Sequence, residues 1–213
     1  MASLKTITQF KSRLAGGGAR PNLFEVNISD FKFADDWDNE DFQFLCKAAA
    51  LPSSNISPVE IPFRGRILKV AGDRTFDTWA VTVINDENFK LRTSFEQWMN
   101  GISKLSDATG SPNPSDYMGN ANVNQLGRSL SSGAQNGTST QTGDNAGGGE
   151  SLTPLRTYFF EGIFPTEISS IDLSYESGDA IEEYTVTFQV QYWIAGANNA
   201  GGTSSDQNGT VII

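Results

Sequence analysis

The sequence predicts a mainly β fold with one amphipathic α-helix. Residues 76–84 (FDTWAVTVI) are rich in β-branched and aromatic side chains, and the period of two places Trp79, Val81 and Val83 on one face. Residues 181–194 alternate in the same way and predict a strand that is buried on one face only. Its apolar face consists of Tyr184, Val186, Phe188, Val190 and Tyr192, and its polar face of Thr185, Thr187, Gln189 and Gln191.

A helix is predicted over residues 86–100. Asn85 and Asp86 supply an N-cap, and Glu87 in the first turn complements the helix dipole. Apolar residues then recur at helical spacing, which predicts that one stripe packs on the sheet. The stripe consists of Leu91, Phe95, Trp98 and Ile102.

Further β segments are predicted at 23–28, 42–51, 58–70, 155–164 and 167–175. Pro62 lies inside the third of these. Because proline cannot donate to a β-ladder, that segment is expected to be an edge strand or an extended hairpin arm. Residues 71–75 (AGDRT) are predicted to form a turn.

The 213 residues, 23.1 kDa in mass, fit one domain with appendages. Residues 1–20 read as an N-terminal arm that ends at a glycine run, and residues 21–194 as the β domain. Residues 128–152 are polar and of low complexity, so they are predicted to be a flexible insertion. Residues 195–213 are predicted to be a flexible C-terminal tail.

The chain is acidic, with 15 Lys and Arg against 25 Asp and Glu, a formal charge of -10 and a pI of about 4.4. This balance disfavours a nucleic-acid binder that grips phosphates with clustered cations. An acidic wall repels a polyanion, which suits a surface past which DNA slides without sticking.

Residue types for catalysis or metal binding are scarce. There is no histidine, which excludes Ser-His-Asp and Cys-His triads and His-based zinc sites. Cys46, the only cysteine, is predicted to be a buried thiol in a strand. Glu182 and Glu183 are neighbours on a predicted strand and would point to opposite faces. We therefore predict no enzyme activity, cofactor or metal site.

Two further patterns concern ions and membranes. An acidic loop around Trp37 has spacing similar to a calcium loop but lacks the glycine and distal glutamate of an EF-hand, so a solvated loop is expected. Its acidic residues are Asp35, Asp36, Asp38, Glu40 and Asp41. No segment approaches the roughly 20 apolar residues of a membrane span, and folding in a reducing cytoplasm is expected.

The chain closely resembles the tail tube family of T4-like contractile-tailed phages. The resemblance covers most of residues 20–194, and VAGDRTFDTWAVTVINDE at 70–87 is its longest and most distinctive part. It is also carried by PNLFEV at 21–26, CKA at 46–48, LP at 51–52, the helix with Trp98, GIFPT at 162–166 and TVTFQVQYW at 185–193.

The resemblance implies two packed antiparallel sheets, as a sandwich or barrel-like core, with the helix at their flank. It also implies a structural virion protein whose six-fold rings stack head to tail into a tube. The implied partners are further copies of the chain, the tail sheath protein, the baseplate and tail terminator proteins, and the tape-measure protein and DNA in the lumen. Assembly in the host bacterial cytoplasm is implied as well.

Two sets of residues are candidate assembly positions. We expect the arm at 58–69 to reach the adjacent ring, and the inter-ring contact candidates are Arg64, Arg66, Lys69, Asp73 and Arg74. Candidates for an acidic lumen are Asp172, Glu176, Asp179, Glu182 and Glu183, which cluster around one predicted turn. For both sets, a solvent-exposed hairpin or outer loop remains the alternative. Late strands are expected to pair across subunit edges.

Two other functions stay open at this point. The first is the tube of a phage-derived injection apparatus, a tailocin or type VI-like system, which would share the fold and carry protein cargo or nothing. The second is a monomeric β-sandwich carbohydrate-binding module, which the four tryptophans suggest. Such a module needs several aromatic residues on one exposed face, whereas the periodicity directs at least two of the tryptophans inward.

Overall fold

The computed structural model describes residues 6–13, 18–34, 36–130, 152–176 and 178–196. The predicted insertion and C-terminal tail lie mostly outside these ranges. The chain forms, in order, α1 (Ile7–Arg13), β1 (Phe24–Ile28), α2 (Asn39–Leu45), β2 (Cys46–Ala49), β3 (Ser54–Phe63), β4 (Arg66–Phe76), β5 (Trp79–Ile84), α3 (Lys90–Ile102), α4 (Pro114–Tyr117), β6 (Gly119–Leu130), β7 (Leu152–Ile168), β8 (Glu183–Gln189) and β9 (Tyr192–Gly196). The mainly β prediction is confirmed.

The strands make one seven-stranded sheet and a separate two-stranded sheet. The large sheet has the order β1-β6-β7-β8-β5-β2, with β9 also paired to β7, and the small sheet is the hairpin β3-β4. β5 pairs antiparallel with β8 and with β2. The path of the large sheet ends at β1 and β2, and β8 is paired on both sides, whereas β9, the last strand, is paired only with β7 among the described strands. The expectation that late strands pair across subunit edges stays a prediction, and it concerns β9 and not β8.

The chain divides into two compact units. The first comprises Met1–Glu25, Val123–Thr157 and Ala195–Ile213, and the second Val26–Asn122 and Tyr158–Ile194. In the first unit, the Leu126 amide donates to the Leu23 carbonyl at 2.9 Å. There Thr157 is buried and donates its hydroxyl to Asn124 at 2.8 Å.

The second unit holds an aromatic core built as the periodicity predicts. Trp79, Val81 and Val83 are fully buried, and the Trp79 ring stacks on Phe160 at 4.7 Å between centroids. From α3, Phe95 and Trp98 meet Phe188 of β8 at 5.9 Å and 6.1 Å. The buried indole N–H of Trp98 donates to the Tyr117 carbonyl at 2.7 Å.

The start of α3 differs from the prediction. The helix begins at Lys90 after Phe89, which adopts a left-handed conformation with φ of 54°. The Asp86 carboxylate accepts from the Lys90 amide at 3.2 Å, so it still binds the first turn, but from four residues away. Residues 86–89 therefore form the entry turn and not the first helical turn.

The predicted strand at 42–51 is wrong in its first half, which is helix α2. The Asp38 carboxylate accepts from the amides of Glu40 and Asp41 at 3.0 Å and 3.3 Å, and so caps the helix. The Asp41 amide in particular lowers the pKa of Asp38, and Lys90 acts in the same direction from 3.4 Å. The acidic residues around Trp37 thus include a helix cap and are not only a solvated loop.

Three other boundaries also differ. Residues 71–75 are not a turn but lie within β4. Residues 155–164 belong to the 17-residue strand β7, whereas most of 167–175 is irregular. The predicted strand at 181–194 breaks at Val190 and Gln191, which leaves Tyr192 exposed instead of on the buried face. β6 was not predicted: Ala121 and Val123 alternate with asparagines and are buried, but the apolar residues are few and small.

Candidate assembly surface

The hairpin β3-β4 is a distinct, solvent-exposed feature of the second unit. Its strands pair over nine positions, from Ser54 opposite Phe76 to Phe63 opposite Arg66. Nearly every residue from 55 to 71 is exposed. A two-stranded hairpin is at best marginally stable alone in water, so an uncovered one of this length is incomplete by itself.

The turn at the hairpin tip is formed by Arg64 and Gly65. Their φ angles are 46° and 80°, both positive, as a two-residue type I′ turn requires. The Arg64 guanidinium lies 5.4 Å from the centroid of the Phe63 ring, within the range of a cation–π contact. The tip therefore presents an aromatic ring and a cation side by side.

One face of the hairpin is apolar. Directly opposed residues of an antiparallel pair share a face, so Val59 with Val70, Ile61 with Leu68 and Phe63 with Arg66 lie together. The five large apolar side chains in this set are between 45% and 67% exposed. We call this set the apolar face of the hairpin. Soluble monomers rarely expose such a contiguous patch unless it contacts a partner.

The other face carries a cross-strand ion pair. Lys69 and Glu60 are opposed in register, and their charged atoms lie 3.3 Å apart. Pro58 and Ala71 are opposed on the same face, as are Pro62 and Ile67. The two faces thus differ in chemistry, and Lys69 already has a partner within the hairpin.

A β-bulge and a polar clasp shape the base of the hairpin. The register shifts between Ile56 and Pro58, and a Cβ atom at Gly72 would lie 2.5 Å from the Ser57 carbonyl oxygen. At the base, the Asp77 amide donates to the Ser53 carbonyl at 3.2 Å, and the Asn55 amide group donates to the Asp77 carboxylate at 3.2 Å. The Ser53 hydroxyl donates to the same carboxylate.

All five predicted inter-ring candidates lie on this hairpin and are exposed. Arg64 and Arg66 flank the tip, Lys69 is paired to Glu60, and Asp73 and Arg74 lie near the base. Sequence reasoning chose the charged residues and missed the apolar face. The signal was present as two apolar runs, PVEIPF and ILKV, on either side of Arg64 and Gly65.

The predicted lumen candidates divide into two groups. Glu183 forms an ion pair with Lys47 at 2.5 Å, and Glu182 accepts from the Asn85 side chain at 3.0 Å. Asp172, Glu176 and Asp179 are exposed and form no ion pair within the described ranges. We call residues 171–176 and 178–182 the acidic loop.

The core tryptophans and Cys46 show no binding surface. Trp79 and Trp98 are fully buried, as the periodicity predicts, and Trp37 stacks on Phe31 at 3.9 Å. Cys46 is buried at the start of β2, and burial raises the pKa of its thiol to about 12.

In the part of the chain that the structure covers, no group of His, Cys, Asp or Glu is placed to hold a metal ion. None of the helices described is long and apolar enough to span a membrane.

The fold is shared with subunits of contractile injection systems. A chain of the anti-feeding prophage baseplate matches with a TM-score of 0.56 at 11% identity, over 84% of this chain and 95% of that one. A chain of an extracellular contractile injection system, in an extended sheath–tube complex, matches with a TM-score of 0.53 at 13% identity, over 91% of this chain and 99% of that one.

The sequence comparisons define the family. Residues 19–196 match the family model of the phage tail tube protein. The tail tube protein of Enterobacteria phage T4 is 31% identical over 84% of this chain and 93% of its own length, and that of phage T6 is 30% identical over the same shares. The tail tube protein of Serratia phage KSP90 is 23% identical over 85% and 92%. The chain therefore belongs to the phage tail tube family and is a structural component of a virion.

Proposed function

We propose that this chain forms the inner tube of a contractile phage tail, as hexameric rings that stack head to tail and conduct genomic DNA into the host. The observation that carries the proposal is the hairpin, which exposes an apolar face that only a partner can cover. Copies of the same chain are the partner that family membership indicates. In this proposal the protein performs no chemistry.

The short outer strands offer a second kind of contact. The path of the large sheet ends at β1 and β2, which have five and four residues. Unpaired strand edges favour pairing with another chain, so contact between copies at these edges would extend the sheet around a ring. Such a ring places like charges of an acidic chain around a common lumen, which would keep DNA from adhering.

The remaining partners follow from the proposed position in the tail. Solved relatives of this fold come from a sheath–tube complex, a baseplate and a tube-terminating cap. We infer that the tail sheath, baseplate and tail terminator proteins contact this chain, and that the tape-measure protein and DNA occupy the lumen without specific recognition. Among the lumen candidates, Asp172, Glu176 and Asp179 are exposed and form no ion pair within the described ranges, whereas Glu182 and Glu183 already contact Asn85 and Lys47. Assembly would take place in the host bacterial cytoplasm.

The same likeness supports a second candidate. The solved structures reported above come from an anti-feeding prophage and an extracellular contractile injection system, so a tube that carries protein cargo or nothing also fits the fold. The genes beside this one distinguish the two: capsid and terminase genes indicate a phage, and effector genes without a capsid indicate an injection apparatus.

The experiment is assembly of the purified protein, with baseplate added to initiate it, followed by sedimentation and negative-stain microscopy. We expect hollow tubes of stacked rings. The double variant Arg64→Glu, Arg66→Glu is expected to stay folded by circular dichroism and to lose the sedimenting fraction, because both positions are exposed at the tip of the hairpin. Dispersed wild-type particles under these conditions would refute the proposed function, and tubes of the double variant would refute the role of the tip.

A further inference from the structure

Strand β1 forms one end of the large sheet. Among the described strands it is paired only with β6, so its other side faces outward from the ladder. Directly after β1, the Ser29 amide donates to the Asn120 carbonyl of β6 at 2.9 Å. Because successive amides of a strand point to opposite sides, the Ile28 amide points away from β6.

A side chain of α2 binds this outward-facing amide. The Ile28 amide donates to Oδ1 of Asn39 at 3.1 Å. The Asn39 amide group in turn donates to Oδ1 of Asn27 at 3.0 Å, and the Gln43 side chain donates to the same oxygen. Asn39 and Gln43 are four residues apart on α2, so both face β1. A side-chain amide carries the same kinds of acceptor and donor as a peptide unit, so Asn39 takes the place of a neighbouring strand at Ile28.

The helix that carries Asn39 is held by contacts of its own. The Phe42 side chain is fully buried, and its ring centroid lies 6.0 Å from that of Phe95 in α3. Lys90, at the start of α3, lies 3.0 Å from the Asp41 carboxylate in the first turn of α2. These contacts fix α2 to the core and to α3, so Asn39 is positioned independently of its bond to β1.

The two ends of the sheet therefore differ in exposure. Val26 and Ile28 of β1 are 0% and 2% exposed, so their backbone is closed to solvent, whereas Lys47 and Ala48 of β2 are exposed. An uncovered strand edge is a template for pairing with another chain, and a helix that covers the edge removes the template. At β1, the cover is α2.

We propose that α2 is an edge cap, in which Asn39 closes the Ile28 end of β1 to strands of other copies. The inference rests on the proposed function, in which copies pair at the ends of the sheet, and adds a limit to it. A strand of a second copy can reach β1 only before Val26, whereas β2 stays accessible at Lys47 and Ala48. The cap thereby restricts which edges and which registers can be used in pairing between copies.

Amide hydrogen exchange of the dispersed protein, resolved to single residues, tests the hydrogen bond. Asn39→Ala removes the acceptor, so the Ile28 amide should exchange roughly fivefold faster, as expected for the loss of one hydrogen bond. Asn39→Asp keeps an acceptor oxygen and should exchange as wild type does. Asn39→Ser, whose side chain is too short to reach Ile28, is the second variant if the alanine variant unfolds. Wild-type protection of Ile28 in the shortened variants would overturn the cap.

Association in the absence of baseplate tests what the cap does. Asn39→Ala should give several-fold more sedimenting material than wild type or Asn39→Asp, and the infrared spectrum of the pellet should show added antiparallel β structure. Asn100→Ala is the matched control, because the Asn100 side chain accepts from the Leu105 amide at the same distance of 3.1 Å but lies near the end of α3, away from a strand edge. This control should raise exchange at Leu105 and leave the pellet unchanged.

The outcomes separate the cap from the proposed function. Equal pellets from Asn39→Ala and Asn100→Ala, with faster exchange at Ile28, would overturn the cap and leave the proposed function standing. Wild-type protein that forms no tubes on added baseplate would refute the proposed function, whatever the exchange rate at Ile28.

Discussion

Cys46 shows how burial determines the properties of a single residue. The thiol is 9% exposed, and its sulfur lies 3.8 Å from the Ala48 carbonyl oxygen, to which it donates a weak hydrogen bond. Desolvation disfavours the thiolate, and this raises the pKa from an ordinary value of 9.0 to about 12. The folded protein therefore retains a proton that the unfolded chain releases.

This difference predicts alkaline sensitivity. Between the unfolded pKa of 9.0 and the folded pKa of about 12, the unfolded state binds fewer protons, so the free energy of unfolding falls as pH rises. Cys46→Val should flatten the dependence between about pH 8 and about pH 10.5 in urea unfolding curves. Tyr184 acts in the same direction, since burial raises the pKa of its phenol. An unchanged slope in Cys46→Val would assign the effect to Tyr184 or to other groups.

Residues also explain why part of the sequence was misread. The apolar run at Phe42, Phe44 and Leu45 was interpreted as the start of a strand, yet Asp38 caps a helix there. Only Phe42 of this helix is buried, so no helical stripe was visible in seven residues. The helix cap at Asp38 therefore decides the local structure over the apolar run. The sequence signal for this helix is Asp38 followed by the acidic residues Glu40 and Asp41.

At the scale of an element, the hairpin is a strand pair whose bulge depends on one glycine. Gly72 has no room for a Cβ, because the Ser57 carbonyl oxygen would lie 2.5 Å from it. Its role is therefore close backbone approach within a strand, and not the turn that AGDRT suggested.

Gly72→Ala is expected to loosen the hairpin selectively. The clash at the bulge should raise amide hydrogen exchange over β3 and β4, while the near-ultraviolet circular dichroism of the buried core around Trp79 stays constant. Gly178→Ala is the matched control, because a Cβ there meets nothing within 4 Å. Loss of the core signal in Gly72→Ala would show that the hairpin is not an independent element.

Elements with strong periodicity were predictable and the others were not. β5 and α3 carry alternating or helical apolar patterns, and both were found close to their predicted positions. β6 alternates only small apolar residues, Ala121 and Val123, with asparagines, so its pattern is weak although both side chains are buried. Pro62 predicted the hairpin arm, but the difference between its two faces could be recognised only from the register of the strands.

At the scale of the whole molecule, the candidate assembly surface and the buried core use different residues. The core of the second unit is built from β5, β8 and α3, whereas the hairpin forms its own two-stranded sheet. The candidate assembly residues on the hairpin are exposed, whereas the core residues Trp79, Phe95 and Phe188 are buried. Loss of assembly and loss of folding should therefore be distinct events.

A shortened hairpin tests this separation. Replacement of residues 59–70 by Asn-Gly keeps the Pro58–Ala71 pair, the bulge and the clasp at Asp77 but removes the tip and the apolar face. We expect a thermal unfolding midpoint within a few degrees of wild type and no sedimenting polymer, as shown by calorimetry and ultracentrifugation. A variant that unfolds would mean that the apolar face stabilises the monomer itself.

The extended strands of the hairpin also have a mechanical consequence. β3 has ten residues, and a strand rises about 3.3 Å per residue, so the arm is roughly 30 Å long and close to the limit of its backbone. Hydrogen bonds among Ser53, Asn55 and Asp77 close the base of the arm, so its length can increase little under tension. Because the two strands are already extended, a partner bound at the tip would be held at a nearly fixed distance from the base of the arm.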